Sequence, residues 1–402
     1  MGAWLTIVGI GEDGLEGLGA AARGAVDAAD TLVGGARHLA MVPADGRERL
    51  EWPRPFSALA GELRARTGRR VCVLATGDPF CFGVGTSIAR HFPPEEMQVF
   101  PAPSAFSLAC ARLRWSLPEV EAITLHGRPP ATFRAAIRPG ARVLVLSHDA
   151  TTPARIAEML RDAGHGESRI VVLEHMGGAA ERVRDTTASA FAFDDVRDFN
   201  TVAVECAAAP DAPLLAHTPG LPDDAFEHDG QLTKRTVRAA ALAALAPCPG
   251  QLLWDVGAGC GSVGIEWMRA ARGARAIAVD RNAARLALVE RNAERLGTPG
   301  LEAVHGEAPA ALAGLDGPPD AVFVGGGLSA PGLLRTGWDA LRPGGRLVAH
   351  AVSLEGEQAL LAAHAKLGGE LSRIAVSHAV PLGRYHAFRP GFPVTELAVR
   401  KR

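Results

Sequence analysis

Short apolar runs of strand type recur along the whole chain, and stretches with helical spacing separate most of them. Residues 4–8, 31–35, 70–75 and 98–100 predict strands in the opening quarter, with an alanine-rich helix after the first and helical spacing over 56–66. A second set covers 122–125, 142–146, 169–173 and 200–204, and Thr151 or Thr152 is placed to cap a helix beginning at Pro153. Repeated strand–turn–helix units with loops at the strand ends mean α/β architecture. In the first half the two sets predict two α/β lobes side by side, which leaves a cleft for a small ligand.

Residues 208–228 break the pattern. Pro210, Pro213, Pro219 and Pro222 stand there with a short acidic run and no sustained period, the composition of a linker between domains 1–207 and 229–402. Beyond it, Thr233 is a candidate N-cap for an alanine- and leucine-rich helix, and strands are predicted again at 252–256, 275–279, 301–304 and 320–324. This second half predicts a doubly wound, Rossmann-like α/β sheet.

Its first strand runs into Asp255-Val256-Gly257-Ala258-Gly259-Cys260-Gly261-Ser262, a cluster of glycines before a helix. Glycine lets the backbone bend sharply and lets a ligand approach the main chain, and the helix start behind it offers free N–H groups. Gly259, Gly261 and Gly264 fit the G-x-G-x-x-G of a dinucleotide site. Asp255, Gly257, Gly259 and Gly261 fit the D-x-G-x-G-x-G of an S-adenosylmethionine (AdoMet) site. Asp280, at the end of the second strand and beside Arg281, is placed to accept hydrogen bonds from ribose hydroxyls, which suits either ligand.

Later motifs separate the two. Gly306-Glu307-Ala308-Pro309 after the third strand, Gly325-Gly326-Gly327 after the fourth, and Arg342-Pro343-Gly344-Gly345 before a fifth are similar to the doubly wound AdoMet-dependent methyltransferases. The resemblance implies that Gly306, Glu307 and Ala308 line an adenine site and that Gly325 faces the transferable methyl. AdoMet is favoured over NAD, which leaves an NAD-dependent oxidoreductase as the lesser alternative. Gln231, Thr233 and Ser262 join the candidate cofactor contacts.

In the first half, Gly9-Ile10-Gly11, Gly77-Asp78-Pro79, Pro103-Ser104 and Glu174-His175-Met176-Gly177-Gly178 resemble the tetrapyrrole methyltransferase family. That family holds AdoMet between two α/β lobes, so Gly9, Gly11, Gly77, Asp78, Gly83 and Ser104 become candidate contacts, with one AdoMet in each half. The family's G-x-G-P-G-D loop is here Gly9-Ile10-Gly11-Glu12-Asp13-Gly14, without the proline.

In the second half, the run from Asp229 to Arg238, the glycine loop, and Val348-Ala349-His350-Ala351-Val352 resemble the decarboxylating precorrin methyltransferases of cobalamin biosynthesis. The resemblance implies a bifunctional C-methyltransferase that acts on a precorrin at C5 and C15 and removes the carboxyl of the C12 acetate. It assigns C5 to the first half, and C15 with decarboxylation to the second. A chain with only one catalytic half is the other reading kept open. A precorrin bears several carboxylates, so Lys234, Arg238, Arg384 and Arg389 are candidate substrate contacts. His350 and His386 are candidates for moving protons. The family commonly has asparagine at the position of His350 and glutamate at that of Asp280.

Charge and composition narrow the partners. A formal net charge of −2 gives no electrostatic footprint for nucleic acid or an anionic membrane. The cysteines form no C-x-x-C pair and no zinc spacing, so no metal site is expected. No apolar run approaches the length of a membrane span. A cytoplasmic enzyme with a small-molecule tetrapyrrole partner, self-associating into a homo-oligomer, is the expectation.

Overall fold

Each of these apolar runs becomes a strand in the computed structural model, which describes residues 2–402. The chain divides into two units, Met1–Arg128 with Pro139–Pro210, and Pro129–Arg138 with Asp211–Arg402.

In the first unit, β1 (Leu5–Ile10), β2 (Thr31–Gly34), β3 (Glu48–Glu51), β4 (Val71–Thr76) and β5 (Met97–Phe100) form a parallel sheet in the order β3-β2-β4-β1-β5. Alternate residues feed opposite faces. Leu5, Ile7, Val71 and Val73 enter one apolar cluster, while Val8, Ile10, Cys72 and Leu74 enter another. A sheet covered on both faces needs unbroken apolar strands, which is why these runs do not alternate.

The second lobe of this unit holds β6 (Val120–Thr124), β7 (Arg142–Leu146), β8 (Arg169–Glu174), β9 (Arg182–Thr187) and β10 (Asn200–Glu205), ordered β6-β7-β10-β8-β9. Only β6 and β7 are parallel. The edge strand β9 is mostly polar, with Val183 exposed: Arg182 bonds Glu174, and both Arg182 and Arg184 bond Asp195. The cap expected from Thr151 or Thr152 is not made by either hydroxyl toward its helix. Asp149 accepts from the Thr151 N–H at 2.8 Å, and the Thr152 hydroxyl accepts from the His148 and Asp149 N–H groups instead.

In the second unit, β11 (Leu252–Val256), β12 (Arg275–Asp280), β13 (Glu302–His305), β14 (Ala321–Val324) and β15 (Arg346–Ala351) are parallel neighbours in the order β13-β12-β11-β14-β15. β16 (Glu370–Ile374), the hairpin of β17 (Ser377–Leu382) and β18 (Tyr385–Pro390), and β19 (Val394–Arg400) follow. β19 inserts between β15 and β16, antiparallel to both, and completes a sheet of seven strands. Two apolar clusters cover its faces, one including Leu253, Ala278 and Phe323, the other Trp254, Val279 and Val324. Part of the stretch expected to be a linker is packed: Leu221 and Phe226 are buried in the first of these clusters. Among the described residues no helix is long and apolar enough to cross a membrane, and no cluster of His, Cys, Asp and Glu could hold a metal.

Candidate active site

The parallel strands of the second unit end on one edge, and the strand order reverses between β11 and β14. That reversal opens a crevice where ligands of wound sheets bind. A cavity of about 940 Å³ lies there, within the range of small-molecule sites. Gln231, Thr233, Lys234, Gly257, Gly259, Ser262, Asp280, Arg281, Gly306, Glu307, Ala308, Gly325 and His350 all line it. Residues far apart in the chain thus converge on one cavity.

The glycine turn explains its own composition. Gly257 has φ of 70°, and a Cβ there would lie 2.9 Å from the Gly326 nitrogen. The two loops pack backbone against backbone, which only glycine permits. Asp280 is almost fully buried; one carboxylate oxygen accepts from the Gly259 N–H and the other from the Asn282 N–H, each at 2.9 Å. Each oxygen keeps a further lone pair, so two vicinal hydroxyls can still be accepted. Thr233 is not the N-cap expected of it. Lys234 occupies that position, and Thr233 offers its carbonyl to Arg238 at 2.5 Å.

His350 and the triglycine Gly325-Gly326-Gly327 line the same cavity. His350 Nε2 lies 2.7 Å from Glu396 Oε2, and both residues are buried. The ring meets Phe323 edge-on at 5.1 Å between centroids. Val352, Ile374, Val376 and Val394 add an apolar surface beside them. Sequence reasoning missed Glu396 and these four. A glutamate inside Val394-Thr395-Glu396-Leu397-Ala398-Val399 is a usable signal, because a carboxylate there must find a partner on the sheet.

In the first unit, the loops after β1, β4 and β5 converge. The Gly77 N–H donates to the Ile10 carbonyl at 3.1 Å, and the Ala102 N–H to the Gly77 carbonyl at 3.2 Å. A Cβ on Gly9 would lie 1.9 Å from the Gly77 oxygen, so the turn tolerates no side chain. Ser104 caps the helix Ala105–Leu113 through the Ser107 N–H at 3.1 Å. The Asp78 carboxylate is engaged by the Phe80 N–H at 2.8 Å, and Gly83 abuts the Pro79 carbonyl. Glu12, standing where the family pattern has proline, pairs with Arg37 of the same lobe and reaches His175 of the other lobe at 2.7 Å. Beside it His38 is buried with Nδ1 unpartnered, and burial and the neighbouring Arg37 charge pull its pKa down to about 4.

The family model for tetrapyrrole (corrin/porphyrin) methylases matches residues 4–192, and that for the precorrin methyltransferase domain matches residues 224–401. A precorrin-6Y C(5,15)-methyltransferase [decarboxylating] from Sinorhizobium sp is 47% identical over 98% of this chain and 95% of its own. The chain belongs to the precorrin-6Y C(5,15)-methyltransferase (decarboxylating) family. Two shorter relatives from Salmonella typhimurium each span less than half of it. A cobalt-precorrin-7 C(5)-methyltransferase is 34% identical over 44% of this chain and 88% of its own. A cobalt-precorrin-6B C(15)-methyltransferase (decarboxylating) is 36% identical over 42% and 89%.

Within this methyltransferase frame, several expected site residues stand elsewhere. Asp255 is buried behind the turn, where one oxygen accepts from the Gly264 N–H at 2.9 Å and the other has no partner. Burial pushes its pKa up to about 7. Gly261 does not line the cavity either; it packs on Val289. Arg238 is a correction. It is fully buried, and four of its five N–H groups go to Glu266 at 2.6 Å, to Asp223 at 3.2 Å and to the carbonyls of Thr233 and Leu221, so it presents no surface to a substrate. Arg384, His386 and Arg389 lie exposed on the β17–β18 hairpin and do not line the cavity. Of the proposed cationic contacts, the structure brings only Lys234 to it.

Proposed function

We propose that the chain is a bifunctional AdoMet-dependent C-methyltransferase of cobalamin biosynthesis. It methylates precorrin-6Y at C5 and C15 and releases the C12 acetate carboxyl as carbon dioxide, giving precorrin-8. The observation that carries this reading is the second-unit cavity, where a glycine turn, Asp280 and the Gly306 loop meet an open triglycine beside an apolar surface. Near-full-length identity with a decarboxylating precorrin-6Y methyltransferase supports it. That C5- and C15-methyltransferases occur as separate, half-length relatives supports assigning one position to each unit, with one AdoMet in each.

When bound, AdoMet supplies an already activated methyl group, so the protein's own work is alignment and exclusion of water. In the second unit Asp280 would accept the ribose hydroxyls, while Gly259 and Ser262 would offer the start of the helix Ser262–Ala270. Glu307 and Ala308, which line the same cavity, would flank the base. Gly325, Gly326 and Gly327 leave the flat substrate room to reach the methyl, and Lys234 meets one of its carboxylates. In the first unit the converging backbones of Gly9, Gly77 and Ser104 would hold the second AdoMet. Self-association has its support in the β17–β18 hairpin, which leaves Leu382, Tyr385 and Phe388 exposed. Activity on a small tetrapyrrole in the cytoplasm, without nucleic acid, fits the near-neutral charge.

Incubation with precorrin-6Y and AdoMet followed by mass spectrometry tests the proposal. Two methyl groups gained and one carbon dioxide lost is the expected change. A product with one methyl and its carboxyl intact would leave only the first half catalytic.

A further inference from the structure

Strand order sorts the residues around the second-unit cavity. The cofactor candidates Gly257, Asp280 and Gly306 stand at the ends of β11, β12 and β13, and Gly325 follows β14. β15, β19 and β16 come next in the sheet, in that order. Neighbouring strands stand about 4.8 Å apart, so these three offer a bed roughly 10 Å across that begins one strand beyond Gly325. Val394 of β19 stands opposite Ile374 of β16, and Val352 and Val376 continue β15 and β16; all four line the cavity.

This bed is not spent on the core. Val352 is 65% exposed, and the two apolar clusters that cover the sheet include none of the four. Phe392 lines the cavity too and is 88% exposed. Its backbone is held: the Gly391 N–H donates to the Val376 carbonyl at 2.9 Å at the neck of the β17–β18 hairpin, and Pro393 fixes the next φ. Its ring meets no other ring and no cation among the described residues. Apolar side chains left open together inside a cavity, instead of singly over a surface, mark the place of a ligand. Lys234 and His378 line the same cavity and offer N–H donors. The matching occupant is apolar across its face and anionic at its margin, which is the chemistry of a tetrapyrrole that bears carboxylates.

From this placement, and resting on the function proposed above, we infer that the precorrin lays its ring face on Val352, Ile374, Val376 and Val394 and that Phe392 packs on the ring, as a determinant of substrate binding in the second unit. A ring face touched away from the reacting carbons is held equally before and at the transition state. The contact therefore belongs in KM and not in kcat.

The test follows carbon dioxide release by the full chain against precorrin-6Y concentration at saturating AdoMet, with AdoMet affinity read by calorimetry and assembly by sedimentation. Burial of a phenylalanine side chain supports a factor of about 10 or more, so Phe392→Ala is expected to raise KM by that factor with kcat, AdoMet affinity and sedimentation unchanged. Phe392→Leu, which keeps an apolar side chain, is expected to recover most of the loss. Leu361→Ala removes an exposed apolar side chain that does not line the cavity, and KM should stay at the wild-type value. An unchanged KM in Phe392→Ala, an equal rise in Leu361→Ala, or a loss accompanied by altered sedimentation or weaker AdoMet binding overturns the inference alone. A wild-type chain that releases no carbon dioxide from precorrin-6Y sinks the proposed function, and the inference with it.

Discussion

Both units place glycine turns at the ends of parallel strands, yet they build their sites from different material. In the first unit backbone meets backbone: Gly9, Gly77 and the residues before Ser104 are in mutual contact, and side chains serve mainly to join the lobes through Glu12, Arg37 and His175. In the second unit side chains join the glycine turn: Asp280, Lys234 and the His350–Glu396 pair all face or support one cavity. The buried titratable groups differ in the same sense. The first unit holds a histidine whose pKa burial pulls down to about 4, the second a carboxyl that burial pushes up to about 7. The first set of loops is shaped by main-chain contact, the second by side chains.

The sharpest way to break this contrast is to remove a buried side chain from the second unit. Arg238→Ala strands Glu266, which then keeps only the N–H groups of Gly220 and Leu221. Breaking a buried pair on one side costs about 3–5 kcal/mol, so urea titration should show the second unit's transition weakened and the first unit's unchanged. Equal weakening of both would erase the distinction.

Next in size are the opposed pH responses. Above its ordinary pKa His38 is neutral whether folded or not; as pH falls toward about 4 only the unfolded chain takes up the proton, so stability is lost. Asp255 works the other way. Its contribution is present below the ordinary carboxyl range and is lost as pH rises toward about 7, because only the unfolded chain ionises. Each effect is of order 3 kcal/mol. Urea transitions followed by tryptophan fluorescence should move in opposite directions on acidification, and His38→Asn and Asp255→Asn should each flatten one of them.

Smaller still is Asp280→Asn. A hydrogen bond to a charged group is worth about 1.5–3 kcal/mol, so AdoMet affinity of the second-unit site should fall roughly 10- to 100-fold with the first-unit site unaffected. Smallest is Arg112→Ala, which removes a part-exposed pair with Glu181 and should cost at most about 1 kcal/mol in thermal unfolding.

The inner strands of the three main sheets were legible because strands covered on both faces must be apolar without interruption, whereas β3, β9 and β16, at sheet edges, and the inserted β19 were not predicted. The β17–β18 hairpin was not legible for the converse reason: its faces are largely exposed, so no burial pattern marks it. Glycine turns, Asp280 and the Gly306 loop were readable because each sits at a strand end with its motif contiguous. Glu396 was not, since only the antiparallel insertion of β19 beside β15 brings it to His350. Arg238 misled for a physical reason too. A cation in a helix reads as solvent-facing until Glu266, from another helix, is seen to turn inward and meet it.

Titration of the full chain with S-adenosylhomocysteine, alongside Gly9→Val and Gly257→Val, tests the two-site account most directly. Two sites per chain are predicted, one lost in each variant while the other keeps its affinity. A single site, or a pair abolished together by either substitution, contradicts it.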